Sequence, residues 1–198
     1  MGDLILLRHG ETAWSQAGKH TGRTDIPLTP RGEAAAAALA PQLMRRDVVA
    51  AFSSPARRAA WTAQLAGLAD AKPDPDLWEW DYGGYESLTT REIQETRPGW
   101  YLWHDGVIPG DAAHPGETAQ QVGERVDRVL RRVIPLLVDG DVALVAHGHV
   151  LRVLTARYLQ LEPSGGRLFK LDTGTISMLG HEHGEPVILA WNVPPASS

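Results

Sequence analysis

Two observations predict an α/β fold for this sequence. Short apolar runs alternate with helix-forming stretches along the chain. Leu4–Leu7 is apolar at every position, as suits a parallel strand buried on both faces.

The elements follow in order. Thr29 and Pro30 start a helix, with Thr as N-cap and Pro at the first helical position. The run Ala34–Ala40 continues it until Pro41 kinks or ends it. Val48–Phe52 reads as a second strand. Ser54-Pro55 repeats the cap-plus-proline signal and opens a helix through about Leu65. Thr89 and Glu92 have the spacing of a capping box, so a short helix starts there. Val122, Val126, Val129, Leu130 and Val133 share one helical face, which predicts an amphipathic helix from about Thr118 to Ile134. Val142–Val145 is another strand, and a helix from Val150 to Leu159 follows it. Ser177–Leu179 and Val187–Ala190 are the last two strands. With no repeat and no linker, residues 1–198 are expected to form a single domain. Residues 84–117 read as an insertion over the site, and its Gly99–Glu117 stretch is rich in Gly, Pro and aromatics, as binding loops and lids often are. Residues 193–198 read as a loose tail.

Composition excludes several classes of function. The chain has no cysteine, so disulfide scaffolds, thiolate metal sites and cysteine nucleophiles are impossible. Nineteen Lys+Arg against 24 Asp+Glu give a net charge of −5, which argues against nucleic acid as a partner. No apolar run approaches a membrane span, and the run before Arg8 is too short for a signal-peptide core; no membrane partner and a cytoplasmic location are expected. An anionic substrate would need cations gathered locally, against the net charge.

Three motifs follow three predicted strands: Arg8-His9-Gly10-Glu11-Thr12, Ser53-Ser54-Pro55-Ala56-Arg57-Arg58 and Ala146-His147-Gly148-His149. In open parallel sheets the C-terminal strand ends share one edge, where ligands bind, so His9, Arg58 and His147 are expected to converge. Two imidazoles beside guanidiniums suit a phosphate group, because Arg presents a charged planar fork to its oxygens. A histidine there can be the nucleophile of phosphoryl transfer, with nearby positive charge favouring its neutral form. A carboxylic acid is still needed to protonate the leaving oxygen. A single Arg-His pair after a strand is usually incidental, but three motifs at three strand ends are hard to ascribe to accident. Arg57 and Arg58 at a helix start oppose the local dipole, which suggests that one of them serves a ligand.

Leu7-Arg8-His9-Gly10-Glu11-Thr12 with Trp14 resembles the signature of the histidine phosphatase superfamily, which includes the phosphoglycerate mutases. The likeness continues through Thr21–Thr29, Ser53-Ser54-Pro55 with Arg58, Glu79 with Tyr82-Gly83, Pro115–Thr118 and His147-Gly148-His149. It implies a three-layer α/β/α sandwich with a mostly parallel central sheet. It also implies that His9 is the nucleophile and that Arg8, Arg58 and His147 complete the phosphate pocket. Glu79 would be the acid for the leaving alcohol and then the base for water. Thr21, Gly22, Tyr82, Gly148 and His149 match positions that border substrate in the mutases. The family uses neither a metal nor an organic cofactor. Asp81 and Glu86 are rivals to Glu79, which is preferred because it falls where the family's acid falls before Tyr-Gly.

The sequence departs from the pattern in places. Ser15 stands where many members have Asn, with a shorter reach to phosphate. Arg23 occupies a position that is often Trp in the mutases; it is either a contact to a second anionic group or a solvated arginine. The mutases also resemble a longer chain, with a Lys and an Arg pair in an insertion. Here the gap from Gly83 to Pro115 holds Arg91 and Arg97 but no Arg-Arg pair, and Thr90 falls where the mutase lysine would be. A shorter, less basic segment favours hydrolysis over retention of a bisphosphate.

The segment Glu79–Ile93 with Trp103-His104-Asp105-Gly106 is similar to bacterial acid phosphatases and sedoheptulose-bisphosphatase-like members. Trp78, Trp80, Trp100, Tyr101 and Trp103 are expected to cluster around the insertion as packing, with a sugar-stacking platform as the alternative. His181-Glu182-His183 reads as a turn rather than a metal pair, and His104 and His114 receive no role. The expected activity is hydrolysis of small phosphate monoesters through a phosphohistidine, with an acidic optimum. A phosphoglycerate mutase and a non-catalytic phospho-ligand or protein-binding module are the alternatives; a mere binder would not need an acid opposite two histidines. A homodimer is compatible with the sequence, but no feature specifies one.

Overall fold

The computed structural model describes residues 1–195. Its strands are β1 (Leu4–Arg8), β2 (Val48–Ser53), β3 (Lys72–Pro73), β4 (Asp141–Ala146), β5 (Ile176–Glu182) and β6 (Glu185–Val193). They form one sheet in the order β3-β2-β4-β1-β5-β6. The first four in that order are parallel, and β5 and β6 are antiparallel additions.

The helices are α1 (Ala13–Gln16), α2 (Pro30–Ala37), α3 (Ala40–Leu43), α4 (Arg57–Leu65), α5 (Thr90–Thr96), α6 (Leu102–Asp105), α7 (Ala119–Val133) and α8 (Gly148–Tyr158). The central strands are apolar on both faces because both faces are covered. Leu4 and Leu6 of β1 join one core with Val142 and Leu144 of β4, beneath α7 and α8. Ile5 and Leu7 join a second core with Ala143 and Val145, beneath residues of α3 and α4. The period-2 alternation of a strand thus splits one apolar run between two layers.

Local signals explain most helix starts. Thr29, Thr89 and Thr118 each accept a backbone N–H from the first turn, as N-caps do. Thr89–Glu92 and Thr118–Gln121 are reciprocal capping boxes. The helix does break near Pro41, but just before it: α2 ends at Ala37, and Pro41 sits in the first turn of the short α3, where its missing N–H costs nothing.

Ser54-Pro55 does not open a helix. Helix α4 begins at Arg57 with Ala56 as a cap that makes no side-chain bond. The Ser54 hydroxyl instead meets His147 Nε2 at 2.8 Å, so a tertiary contact overrides the local cap signal. Helix α8 likewise starts earlier than expected, at Gly148. At the C-terminus Val193 is not tail: it ends β6, paired with Ile176, and residues 196–198 of the expected tail lie outside the described residues.

The aromatic cluster is smaller than expected. Trp80, Trp100 and Trp103 are buried core residues, with Trp80 and Trp103 edge to face at 5.5 Å. Tyr101 is exposed, and Trp78 turns the other way, lying parallel to the His147 ring with Arg23 over its face. His183 sits in the β5–β6 hairpin turn with a left-handed backbone.

Candidate active site

The sheet register builds the site. Arg8 of β1 pairs with Ala146 of β4, and Val145 pairs with Ser53 of β2. Continued by one residue, this register sets His9 level with His147 and Ser54 level with Ala146, the last residue of β4. His9 N–H donates to Ala146 O at 2.9 Å, and Ser54 N–H donates to Val145 O at 2.9 Å. His147, at the end of the middle strand, has His9 on one side and Ser54 on the other. The His9 and His147 ring centroids are 5.1 Å apart.

His9 is buried, and its Nδ1 lies 2.7 Å from the Gly10 carbonyl. A carbonyl only accepts, so Nδ1 carries the hydrogen and Nε2 holds the free lone pair. Burial holds the His9 pKa well below the ordinary imidazole value, and Arg58 and Arg8 push it down further. Burial, more than the neighbouring positive charge, keeps this ring neutral.

The loop that carries His9 is locked from two sides. Gly10 N–H donates to Thr62 Oγ1 of α4 at 3.0 Å. A Cβ on Gly10 would come within 2.4 Å of Gly32 O, and one on Gly32 within 2.2 Å of Glu11 O. The two backbones approach so closely that only glycine fits at either place. Gly32→Ala is therefore expected to lower stability by about 2 kcal/mol or more, read by urea unfolding, with loss of activity in the folded fraction.

Arg58 is fully buried and mostly faces protein. Its Nε donates to His147 Nδ1 at 3.1 Å, and its terminal nitrogens donate to the carbonyls of Thr24, Gly22 and Thr21 at 2.8 to 3.2 Å. It thus orients His147 and ties down the loop from Thr21 to Thr24. Burial, then Arg58, lowers the His147 pKa well below its ordinary value. Arg8 donates to Leu171 O, while its Nε is buried with no hydrogen-bond partner among the described residues. A Cβ on Gly148 would sit 3.1 Å from Arg8 Cζ, so glycine leaves room for the guanidinium at the start of α8.

Glu79 caps α8 in place of a local residue. Its Oε1 accepts from Val150 N at 2.8 Å and Trp80 N at 2.9 Å, and Oε2 accepts from His149 N at 3.0 Å. The bonds from His149 and Val150 satisfy donors that the start of α8 leaves open. Among the described residues the side chain pairs with no arginine and is held by backbone N–H groups alone. Arg125 of α7 holds the backbone beneath it, donating to the carbonyls of Asp76, Trp78 and Glu79 and to the carboxylate of Glu117. The rival acids are committed elsewhere. Asp81 accepts from Gly83 N and Gly116 N, and Glu86 accepts from Gly22 N and Thr24 N.

A pocket of about 180 Å³ opens at this edge. Its walls include Arg8, His9, Ser15, Thr21, Glu79, Tyr82, Gly148 and His149 of the expected residues. Arg58 and His147 stand behind the wall. Gly22 also lies outside it, fixed by Glu86 and Arg58. Arg23 is outside it too, 3.6 Å from Asp81 Oδ2 and over Trp78. Ser15 gives its hydroxyl hydrogen to Thr12 O in a capping box on α1. Tyr82 hydroxyl lies 2.6 Å from His149 Nδ1, and burial, with Glu79 next, holds its phenol well above the ordinary value.

Lys19, His20 and Arg152 also line the pocket, although no motif in the sequence marks them. Arg152 stacks on Trp103 at 4.8 Å, and His20, buried against Tyr82, is pushed down to about 4 by that burial. Three cations face one carboxylate, so the pocket is positive although the chain is acidic.

A family comparison matches residues 4–194 to the histidine phosphatase superfamily (branch 1). The chain belongs to that superfamily, with its phosphoglycerate mutase-like α/β fold and its class of phosphoric monoester hydrolase chemistry. It is similar to an acid phosphatase of Mycobacterium tuberculosis, 41% identical over 184 residues that cover 91% of this chain and 87% of the relative. It is also similar to a sedoheptulose 1,7-bisphosphatase of Saccharomyces cerevisiae, 36% identical over 79% of this chain and 67% of the relative. The solved structure of an open reading frame product of Mycobacterium tuberculosis superposes with a TM-score of 0.91 at 37% identity, over 98% of this chain and 99% of that one. No described helix is long and apolar enough to cross a membrane.

Proposed function

We propose that the chain, acting as one domain, hydrolyses small phosphate monoesters through a phosphohistidine on His9. One observation carries the reading: the Gly10 carbonyl fixes Nδ1 as the protonated nitrogen of a buried neutral imidazole, and that ring lines a cationic pocket with Glu79. In the first step Nε2 of His9 attacks phosphorus while the bond to the ester oxygen breaks. The leaving oxygen takes a proton from Glu79. In the second step water attacks the phosphohistidine and gives a proton to the Glu79 carboxylate. The N–P bond breaks, and phosphate and neutral His9 return. Arg8 stabilises the charge on the transferring group, as phosphoryl transfer chiefly requires. Arg58 and His147 complete that environment from behind. Residues 84–117 contribute no residue to the pocket wall; they back it, through Trp100 and Trp103, which pack on His20 and His149.

Support for hydrolysis over isomerisation comes from relatives that are themselves an acid phosphatase and a bisphosphatase. Incubation with 3-phosphoglycerate and a trace of 2,3-bisphosphoglycerate decides the matter: free phosphate is expected, and isomer formation without phosphate release would overturn the reading.

The same assay yields a pH prediction. The lowered His9 pKa means that the ring stays neutral as pH falls through the ordinary imidazole range. The kcat/KM profile, corrected for ionisation of the substrate itself, is expected to show no acid limb centred near 6.5. A loss of activity with that midpoint would contradict it.

A further inference from the structure

Ser54 precedes α4 without capping it, and its fully buried hydroxyl has another partner. We propose that Ser54 is a positioning residue, holding the hydrogen of His147 on Nε2. The Nε of Arg58 can only donate. His147 Nδ1, 3.1 Å away, must therefore accept. A neutral ring then carries its hydrogen on Nε2, and that atom lies 2.8 Å from Ser54 Oγ. The serine oxygen accepts this hydrogen and also faces Ala56 N–H at 3.3 Å.

The register explains why a serine can do this at all. Strands β2 and β4 are neighbours, and Ser54 N–H is tied to Val145 O, so Ser54 is carried to the end of the strand that leads into His147. The ring is thus gripped at both nitrogens, by a donor on one side and an acceptor on the other. His9 is set the opposite way, with hydrogen on Nδ1. The two neighbouring rings consequently have complementary characters: His9 keeps a lone pair at Nε2, while His147 keeps an N–H bond at Nε2. In Ser54→Ala that N–H bond would be buried without an acceptor, and hydrogen on Nδ1 would collide with the Arg58 donor. The ring can then no longer hold one tautomer in one orientation.

The effect on turnover rests on the phosphohistidine reading above, but the tautomer does not. Long-range 1H–15N spectra of imidazole-labelled free enzyme show which nitrogen of His147 is protonated, with His147→Gln used for assignment. The wild type is expected to show hydrogen on Nε2. Ser54→Ala is expected to lose that single pattern and to lower kcat about ten- to hundredfold with little change in KM, the protein staying folded. Hydrogen on Nδ1 in the wild type overturns the inference whether or not the variant folds. So does a fall in kcat with an unchanged spectrum, which would mark a purely structural role, or an altered spectrum with unchanged kcat. An enzyme without phosphatase activity but with the expected wild-type spectrum would contradict the functional reading and leave the tautomer assignment standing.

Discussion

His9→Ala is expected to lower phosphate release by roughly a thousandfold or more, because it removes the nucleophile rather than one contact to the transition state. The fold should survive. His9 makes one side-chain bond, to Gly10 O, while its backbone is held by Ala146 O and Gly174 N. Loss of that bond and of the packed ring costs on the order of 1–3 kcal/mol, which a domain of this size tolerates. The decisive readout is covalent. Wild-type protein quenched in alkaline denaturant during turnover should carry phosphate that is stable to base and released by acid, as a phosphoramidate is. His9→Ala should carry none. Protein-bound phosphate that survives the substitution, or activity within tenfold of the wild type, would remove His9 from the mechanism.

Why His9 could be picked from the sequence is instructive. Its position depends on short-range facts: an apolar run, then Arg-His-Gly. Parallel strands bring such positions to one edge without any need to know the side-chain contacts. Helix starts at Thr29 and Thr89 are legible for a similar reason, since each cap lies within three residues of the donor it satisfies, while the start at Thr118 is legible from the apolar stripe that follows it. Ser54 had the same local appearance and a different fate. Its competing partner, His147, is 93 residues away, and no local signal reports such a bond. Arg125 was missed because an arginine on a helix reads as a solvated side chain. Here it is buried on the apolar face of α7, and its carbonyl partners lie 46 to 49 residues earlier. The one trace of it was its place next to Val126, within the stripe formed by Val122, Val126 and Val129. Lys19, His20 and Arg152 join a wall made by two separate segments, the loop after α1 and the first turns of α8. The packing of Tyr82 against both His20 and His149, and of those two rings on each other, joins the segments in one pocket. Trp78 and Trp80 make the same point at close quarters, for two residues apart one stacks on His147 and the other fills the core.

Glu79→Gln should separate the two roles given to one carboxyl group. The amide can still accept at the oxygen that faces Trp80 N and Val150 N, whereas its NH2 group would then oppose His149 N–H. That mismatch costs about 1–3 kcal/mol of stability and leaves the polypeptide around the pocket in place. Chemically the change is larger, because an amide neither delivers a proton at the leaving oxygen nor takes one from water. Hydrolysis of alkyl phosphates, whose alkoxide leaves poorly, should fall about 10²–10⁴-fold. With p-nitrophenyl phosphate the leaving group needs no proton, so phosphorylation of His9 should be much less impaired. The second step still lacks its base. The variant should therefore release one equivalent of nitrophenol in a burst and accumulate phosphoenzyme, which the wild type turns over. Equal losses on alkyl and nitrophenyl esters, without a burst, would point to a purely structural capping role for Glu79. A burst in Asp81→Asn or Glu86→Gln instead would transfer the role to a rival. Neither is expected, because both rival carboxylates are occupied by backbone N–H groups, and neither belongs to the pocket wall that holds His9.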